Sequence, residues 1–389
     1  MKQLKVLFVT HYSGLYGANK SMLALILLLK DKYNLIPYVL VNHDGPLSDE
    51  LKKNGVKYSV MHYYWWVNYN EGVLQKFINV RKQFLNTIYI KKICHSLSVY
   101  NFDLVYSNSI TINIGSLIAK RYGVAHFWCV RERLDSYKLK YSLGKLISKF
   151  FFKHGADRYF MISKHLIEYY TETIPPKLMT LVYNGVSFAE NSYKIDKVKG
   201  DSFNICSIGL LSEQKNQLEV LKSVQILINK GVTGFKVYFV GVANSLYYTE
   251  LISFVNAHNL QSFVEFMGHQ NNIDELLQNM DLGLATSVGE AFGRSTIECM
   301  LHGIPVVASN SGANLELVVD NFNGSIYQLN NPNDLADKIE MFIKDSNYLR
   351  KMGSNAHKYA KEHFSAELNA ANVYKIFLSS INEDLDATN

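Results

Sequence analysis

Residues Ser287 to Leu317 read SVGEAFGRSTIECMLHGIPVVASNSGANLEL. Seven residues separate Glu290 from Glu298. Between them Phe292-Gly293-Arg294 marks the start of a helix, Gly303-Ile304-Pro305 its end, and Val306-Val307-Ala308 the strand that follows. A loop over 309–314 then leads to Glu316. A glycine just ahead of a helix lets a ligand come close to the backbone. The unpaired N–H groups of the first turn and the macrodipole favour an anion there. Arg294 adds a guanidinium shaped for phosphate oxygens. Ionised carboxylates only accept hydrogen bonds, which suits hydroxyl-rich partners. A phosphate at the helix start with hydroxyls on either side describes a nucleotide sugar. The alternative is a surface helix on which Arg294 and Glu298 merely pair four residues apart.

The chain has 389 residues, enough for two domains. Its 48% hydrophobic and 13% aromatic content supports sizeable cores and excludes a disordered chain. The apolar run near the N-terminus is too short for a signal peptide, and no apolar run reaches the roughly 18 residues of a membrane span. Four widely spaced cysteines show no disulfide or metal pattern, so a cytoplasmic location is expected. The net charge of +6 is unevenly spread. Residues 1–180 carry 25 Lys+Arg against 11 Asp+Glu, and residues 181–389 carry 15 against 23. The basic half suits an anionic partner.

Lys5 to Thr10 (KVLFVT) reads as a buried parallel strand. It feeds a glycine-containing loop and a helix from about Ser21 to Leu29, the start of a Rossmann-like unit. The loop is either a tight turn or a ligand-facing segment. Further strands are expected at Tyr38–Asn42, Asp103–Ser107 and Ala125–Glu132. Tyr137 to Lys153 reads as a basic amphipathic helix, with Leu139, Leu143, Leu146, Ile147 and Phe150 on one face. It suits either an anionic membrane surface or a core with solvated lysines. Nucleic-acid binding has no accompanying motif. The aromatic stretch Met61–Asn70 serves either a sugar-binding groove or the interior.

Thr173–Lys177 breaks helical structure, and the domain boundary is expected between 186 and 202. The pattern of strand and helix repeats over Phe203–Gly209, Phe235–Gly241, Val264–Asn271 and Asp281–Ser287, so this half is also Rossmann-like. From about Asp334 the chain reads as helical to near Ser380.

Glu290 to Glu298 resembles the E-x7-E motif of retaining GT-B glycosyltransferases of sequence family 4. Leu181–Val186 resembles that family's entry to its second domain, Gly209–Lys215 its G-R-L-x-x-x-K segment, and Asp320–Gly324 its D-x-x-N-G turn. The resemblance covers nearly the whole chain. It implies an α/β protein of GT-B fold, with two Rossmann-like domains facing a central cleft and a C-terminal helix crossing back. The domains would be 1–186 for the acceptor and 187–365 for the donor, with 366–389 packing on the first. Glu298 would bind ribose hydroxyls, and Glu290 the donor sugar, beside Ala291, Phe292 and Gly293. Lys215 and Arg294 would neutralise the diphosphate, Arg294 substituting for the family's arginine where Leu210 stands. The rest of the donor set would be Gly17, Ala18, Gly209, His269, Gln270 and Ser295. Asn19, His126, Arg131 and Glu132 would line the acceptor site, Cys129 standing where relatives carry a histidine. Its alternative is a core role for His126.

The expected activity is transfer of a hexose or N-acetylhexosamine from a nucleotide diphosphate sugar, UDP favoured, to a glycan or lipid-linked acceptor, with retention and no metal or other cofactor. Bacterial surface polysaccharide synthesis is the expected setting, with the protein peripheral to the membrane through 137–153. A non-catalytic partner subunit and a GT-B epimerase remain alternatives. The missing G-x-G-x-x-G fingerprint and its downstream acid speak against a nicotinamide oxidoreductase.

Overall fold

The computed structural model describes residues 3–69, 73–188, 202–243 and 245–386. Asn70 of the aromatic stretch, the final three residues and most of the expected boundary segment lie outside them. The chain divides into two compact units, Met1–Gly185 with Ala366–Asn389, and Val186–Ser365.

The first unit contains β1 (Lys5–Val9), α1 (Gly17–Tyr33), β2 (Ile36–Val41), α2 (Pro46–Lys53), β3 (Lys57–Val60), β4 (Val67–Tyr69), α3 (Val73–Leu97), β5 (Leu104–Ser107), α4 (Ile114–Tyr122), β6 (Ala125–Val130), β7 (Leu139–Tyr141), α5 (Gly144–His154), β8 (Arg158–Met161), α6 (Lys164–Tyr170) and β9 (Met179–Leu181). Seven strands form one parallel sheet in the order β3-β2-β1-β5-β6-β8-β9. Its strands read as near-continuous apolar runs because helices cover both faces of a parallel sheet. β4 and β7 stand apart as an antiparallel ribbon, Val67 opposite Tyr141.

The second unit contains β10 (Phe203–Ile208), α7 (Gln217–Asn229), β11 (Phe235–Val240), α8 (Ser245–Ala257), β12 (Val264–Gly268), α9 (Ile273–Leu277), β13 (Leu282–Ala285), α10 (Arg294–Leu301), β14 (Val306–Ser309), α11 (Asn314–Leu317), β15 (Gly324–Tyr327), α12 (Pro332–Lys344) and α13 (Ser346–Phe364). Its parallel sheet has the order β12-β11-β10-β13-β14-β15. Each sheet therefore starts in the middle, grows one way, then reverses and grows the other. That reversal opens a crevice at the carboxyl ends of the two central strands, where open α/β sheets bind ligands.

The last helix, α14 (Ala366–Asp386), packs in the first unit. Its Phe377 is buried against Tyr106, Phe127 and Phe160.

Two expectations need correction. Helix α1 begins at Gly17, four residues before Ser21. The buried Asn19 amide donates to Tyr12 O at 2.9 Å and to Gly14 O at 2.8 Å, so the loop folds back on the helix start. The expected helix over 137–153 is interrupted. Lys138 (φ 55°) and Gly144 (φ 80°) adopt left-handed conformations that end regular structure. Leu139–Tyr141 becomes a strand instead, and the helix starts at Gly144.

The aromatic stretch is divided between interior and surface. Tyr63 and Trp66 are fully buried. Tyr63 Oη donates to Thr10 O at 2.5 Å and Trp66 Nε1 to Ile110 O at 2.6 Å. Trp65 and Tyr69 stay exposed. Among the described residues, no helix is long and apolar enough to cross a membrane.

Candidate functional site

In the second unit, the sheet reverses between β10 and β13. Just past β10, Gly209 (φ 151°) lies against Gly241 so closely that a Cβ on Gly241 would sit 1.9 Å from Gly209 O. A turn over Glu213–Lys215, closed by Asn216 in the left-handed conformation, brings Lys215 to the strand end. Two hydrogen bonds lash this turn to the segment after β13. Thr286 Oγ1 donates to Lys215 O at 2.8 Å, and Val288 N donates to Gln214 O at 2.8 Å. Lys215 Nζ then donates to Glu290 Oε2 at 2.5 Å.

Glu290 is held from behind by the loop before α11. Ala313 N donates to Glu290 O at 2.8 Å, and Gly289 N to Ser311 Oγ at 2.9 Å. Gly312 (φ 63°) packs on the Glu290 backbone; a Cβ there would lie 2.4 Å from Glu290 N. Burial alone would push the Glu290 carboxyl up. The Lys215 charge and hydrogen bond, with the Ser287 hydroxyl and Phe292 N–H, outweigh it and hold the pKa below the usual value. Phe292 is buried, and Gly293 (φ 91°) turns the chain into α10. Helix α10 thus starts at Arg294, directly after this segment.

Lys215, Thr286, Ser287, Glu290, Ser295 and Thr296 line one recess at this point, together with Gln217. Thr296 Oγ1 is buried there without a hydrogen-bond partner in the described structure. A recess with one cation, one anchored carboxylate, several hydroxyls and a helix start can hold a phosphorylated, hydroxyl-rich ligand.

Arg294 and Glu298 sit beside this recess. Arg294 Nε donates to Glu298 Oε1 at 2.8 Å, so the two side chains form the four-residue pair that the sequence offered as the alternative. His269 is exposed beyond β12, and Gln270 Nε2 turns back to Met267 O at 2.8 Å. Neither lines the recess. Thr286, Ser287, Gln217 and Thr296 were missed. The rule for carboxyl ends of central strands points to the first two, since β13 ends at Ala285.

The reversal in the first unit lies between β1 and β5. Gly17 and Ala18 start α1 there. Asn19 is a brace, for besides its two loop contacts its Oδ1 accepts from Thr10 Oγ1 at 2.6 Å and from Asn108 Nδ2 at 3.2 Å. Arg131, just past β6, is buried and donates to Asn108 Oδ1 at 2.8 Å and to Asn184 Oδ1 at 2.5 Å. Glu132 lies 4.0 Å from His11, a residue the sequence reading passed over. Burial, then the Arg131 charge, lowers the His11 pKa to about 3. Burial raises Glu132 to about 7, against hydrogen bonds from Ser109 and the Arg131 charge.

His126 does not join this cluster. It sits near the amino end of β6, its Nε2 2.8 Å from Ser107 Oγ and its Nδ1 2.5 Å from Gly155 O. Both ring nitrogens are occupied in the core. Cys129 is buried beside Tyr106.

The two sheets, each reversing about its first strand, give the chain the fold of the GT-B glycosyltransferases. Residues 189–359 match the family of glycosyl transferases group 1. Over 383 residues the chain is 24% identical to an uncharacterized glycosyltransferase of Methanocaldococcus jannaschii, covering 96% of this chain and 98% of that one. Over 193 residues it is 25% identical to the O-antigen biosynthesis glycosyltransferase WclY of Escherichia coli, half of this chain and 54% of the relative. The crystal structure of Anabaena HepE in complex with UDP and glucose superposes with a TM-score of 0.80 at 21% identity, covering 97% of this chain and 100% of that one. The family match and these neighbours support a glycosyltransferase of GT-B fold.

Proposed function

We propose that the protein moves a hexose or N-acetylhexosamine from a UDP-sugar to a glycan or lipid-linked acceptor, with retention of anomeric configuration. The observation that carries this reading is the Lys215–Glu290 pair beside the start of α10, at the sheet reversal of the second unit. Lys215 neutralises charge on the leaving diphosphate as the bond from the anomeric carbon to the phosphate oxygen breaks. Arg294 joins it by exchanging Glu298 for phosphate, which frees Glu298 for the ribose hydroxyls. Glu290 accepts from the donor sugar's hydroxyls. The acceptor hydroxyl attacks from the face the diphosphate is leaving, and its proton passes to a departing phosphate oxygen. The two cations serve the leaving group without a metal, so chelation leaves turnover unchanged.

Relatives supply the setting. HepE was crystallised with UDP and glucose, and WclY carries an O-antigen biosynthesis name. Those likenesses support transfer within bacterial surface polysaccharide synthesis. The Asn108–Arg131–Glu132 cluster is the acceptor end of this reading, within the first unit.

A panel of nucleotide sugars tests it. UDP-glucose and UDP-N-acetylglucosamine should raise the unfolding temperature, as ligands bound only by the folded state do. Glu298→Ala should abolish that shift. Release of UDP that depends on added acceptor, with an α-linked product by NMR coupling constants, is the expected chemistry. Protection by no nucleotide sugar, or an unaltered shift in Glu298→Ala, sinks the assignment.

A further inference from the structure

Ile90, Ile93, Cys94 and Leu97 in the second half of helix α3 pack in the core, whereas its first half is amphipathic the wrong way round. Its inward face carries Asn79, Gln83 and Asn86, the last only 1% exposed. Its outward face carries Phe77 (70% exposed), Val80, Phe84 (68%) and Ile88. Those four recur at steps of three and four residues, so they form one stripe along the helix. Hydrogen bonds fix this orientation. Gln83 Nε2 donates to Trp65 O at 2.7 Å. Asn86 clasps Tyr64 twice, donating to its carbonyl at 2.9 Å and accepting from its N–H at 2.8 Å. Rolling the stripe inward would break three hydrogen bonds.

Helix α5 repeats the pattern. Ser148 and Phe152 are buried, with Ser148 Oγ donating to Gly144 O and Phe152 packed against Trp66 and Trp128. Leu146 (85% exposed), Ile147 and Phe150 face outward. The ribbon ties the two helices together, since β4 precedes α3, β7 precedes α5, and the strands are paired. Tyr69, at the end of β4, is exposed as well.

Neither helix contains an Asp or Glu. Arg81, Lys91, Lys92 and Lys153 are exposed on them, and Lys138 and Lys140 flank the ribbon. We propose that the outward stripes of α3 and α5 seat the first unit on an anionic lipid bilayer, the aromatic and aliphatic side chains entering the headgroup boundary and the cations meeting lipid phosphates. Exposed apolar stripes on helices whose charged side chains are all cationic match that surface on both counts. A second copy meeting the same face would set lysine against lysine. The sequence pointed only to 137–153; the structure adds α3 and the ribbon. The proposal stands whether or not the transfer reading holds.

The test is flotation of the full chain with vesicles of phosphatidylcholine containing about 30% phosphatidylglycerol, against phosphatidylcholine alone. Wild-type protein should float with the anionic vesicles. Phe77→Ser with Phe84→Ser, and separately Leu146→Ser with Phe150→Ser, should each lower the partition coefficient by about tenfold or more, given the transfer cost of exposed apolar area. Lys91→Glu with Lys92→Glu should make binding fail at a lower salt concentration. All these sites are on the surface, so the unfolding temperature should hold and report any misfolded variant. The proposal is overturned if wild-type protein stays unbound, or if both serine pairs bind as wild type does. It is equally overturned if sedimentation shows a dimer that the serine variants dissociate while vesicles bind nothing.

Discussion

Lys215 Nζ lies 2.5 Å from Glu290 Oε2 although 75 positions separate the two residues in the chain. The contact ties the end of β10 to the segment that enters α10, so one ion pair shapes the candidate site and also supports the fold. Lys215→Met leaves the Glu290 carboxylate without its cation. The expected loss is roughly 1–3 kcal/mol, below the figure for a fully buried pair because Lys215 keeps some solvent contact. Denaturant unfolding as a function of pH checks it. The Glu290 pKa is depressed in the folded state, so its stabilisation is present above the ordinary value of 4.5 and fades as pH falls through the folded value. The gap between wild type and variant should therefore be full at neutral pH and close in acid.

Gly312 marks a place where backbone meets backbone. Gly312→Ala adds a methyl group 2.4 Å from Glu290 N and 2.5 Å from Glu290 O, at a φ of 63°. The conformation alone costs about 1 kcal/mol, and the clash must displace Glu290 as well. A fall in unfolding temperature together with weakened UDP-sugar binding is expected. A stable variant with wild-type UDP-sugar affinity would show that Glu290 has no part in holding the donor sugar.

The first unit carries a pH signature of the opposite sign. Glu132 titrates near 7 in the folded chain against 4.5 ordinarily, so the folded state holds its proton more tightly. Its favourable contribution is complete below 4.5 and disappears as pH rises through 7. Glu132→Gln keeps the shape and removes the ionisation. The variant should unfold at a higher temperature than wild type at pH 8, with the difference shrinking toward pH 5. Equal melting curves at pH 8 would show that Glu132 is not strained when ionised.

The orientation of α3 rests on Asn86. Asn86→Ala strands both the N–H and the carbonyl of Tyr64, a loss of about 2 kcal/mol for two buried polar groups. Thermal unfolding measures it directly. Phe84→Ala, two positions away and exposed, should change stability by no more than about 0.5 kcal/mol. The ordinary rule for apolar and amide side chains is reversed at this pair.

Much of the fold was readable because the buried parallel strands (KVLFV, LVYS and VVAS among them) are apolar runs followed by glycine or polar loops, a pattern set by covering both faces of a sheet. Glu290 stood out as a carboxylate beside a glycine and a helix start, whereas Lys215 was marked only by its resemblance to a family motif. His126 was not readable. Its partners Ser107 and Gly155 lie 19 and 29 positions away, and only the sheet brings them together. The Arg294–Glu298 pair illustrates a different limit. Spacing alone allowed both a phosphate-facing arginine and an ion pair, and only the side-chain rotamers select the pair. Helix interruption at Lys138 and Gly144 escaped the periodicity of Leu139, Leu143, Leu146 and Phe150, because left-handed backbone leaves no mark on an apolar pattern.

Phe377 of α14 fills the first unit's core from the far end of the chain, next to Tyr106, Phe127 and Phe160. A ribosome releases that helix only after the whole second unit has been made. During synthesis the second unit has all its own strands while the first still waits with an aromatic socket unfilled. The order in which the two units mature is thus expected to invert the order in which they are translated, against the usual N-terminal-first course. A chain truncated before α14 would leave the first unit open and the second one whole.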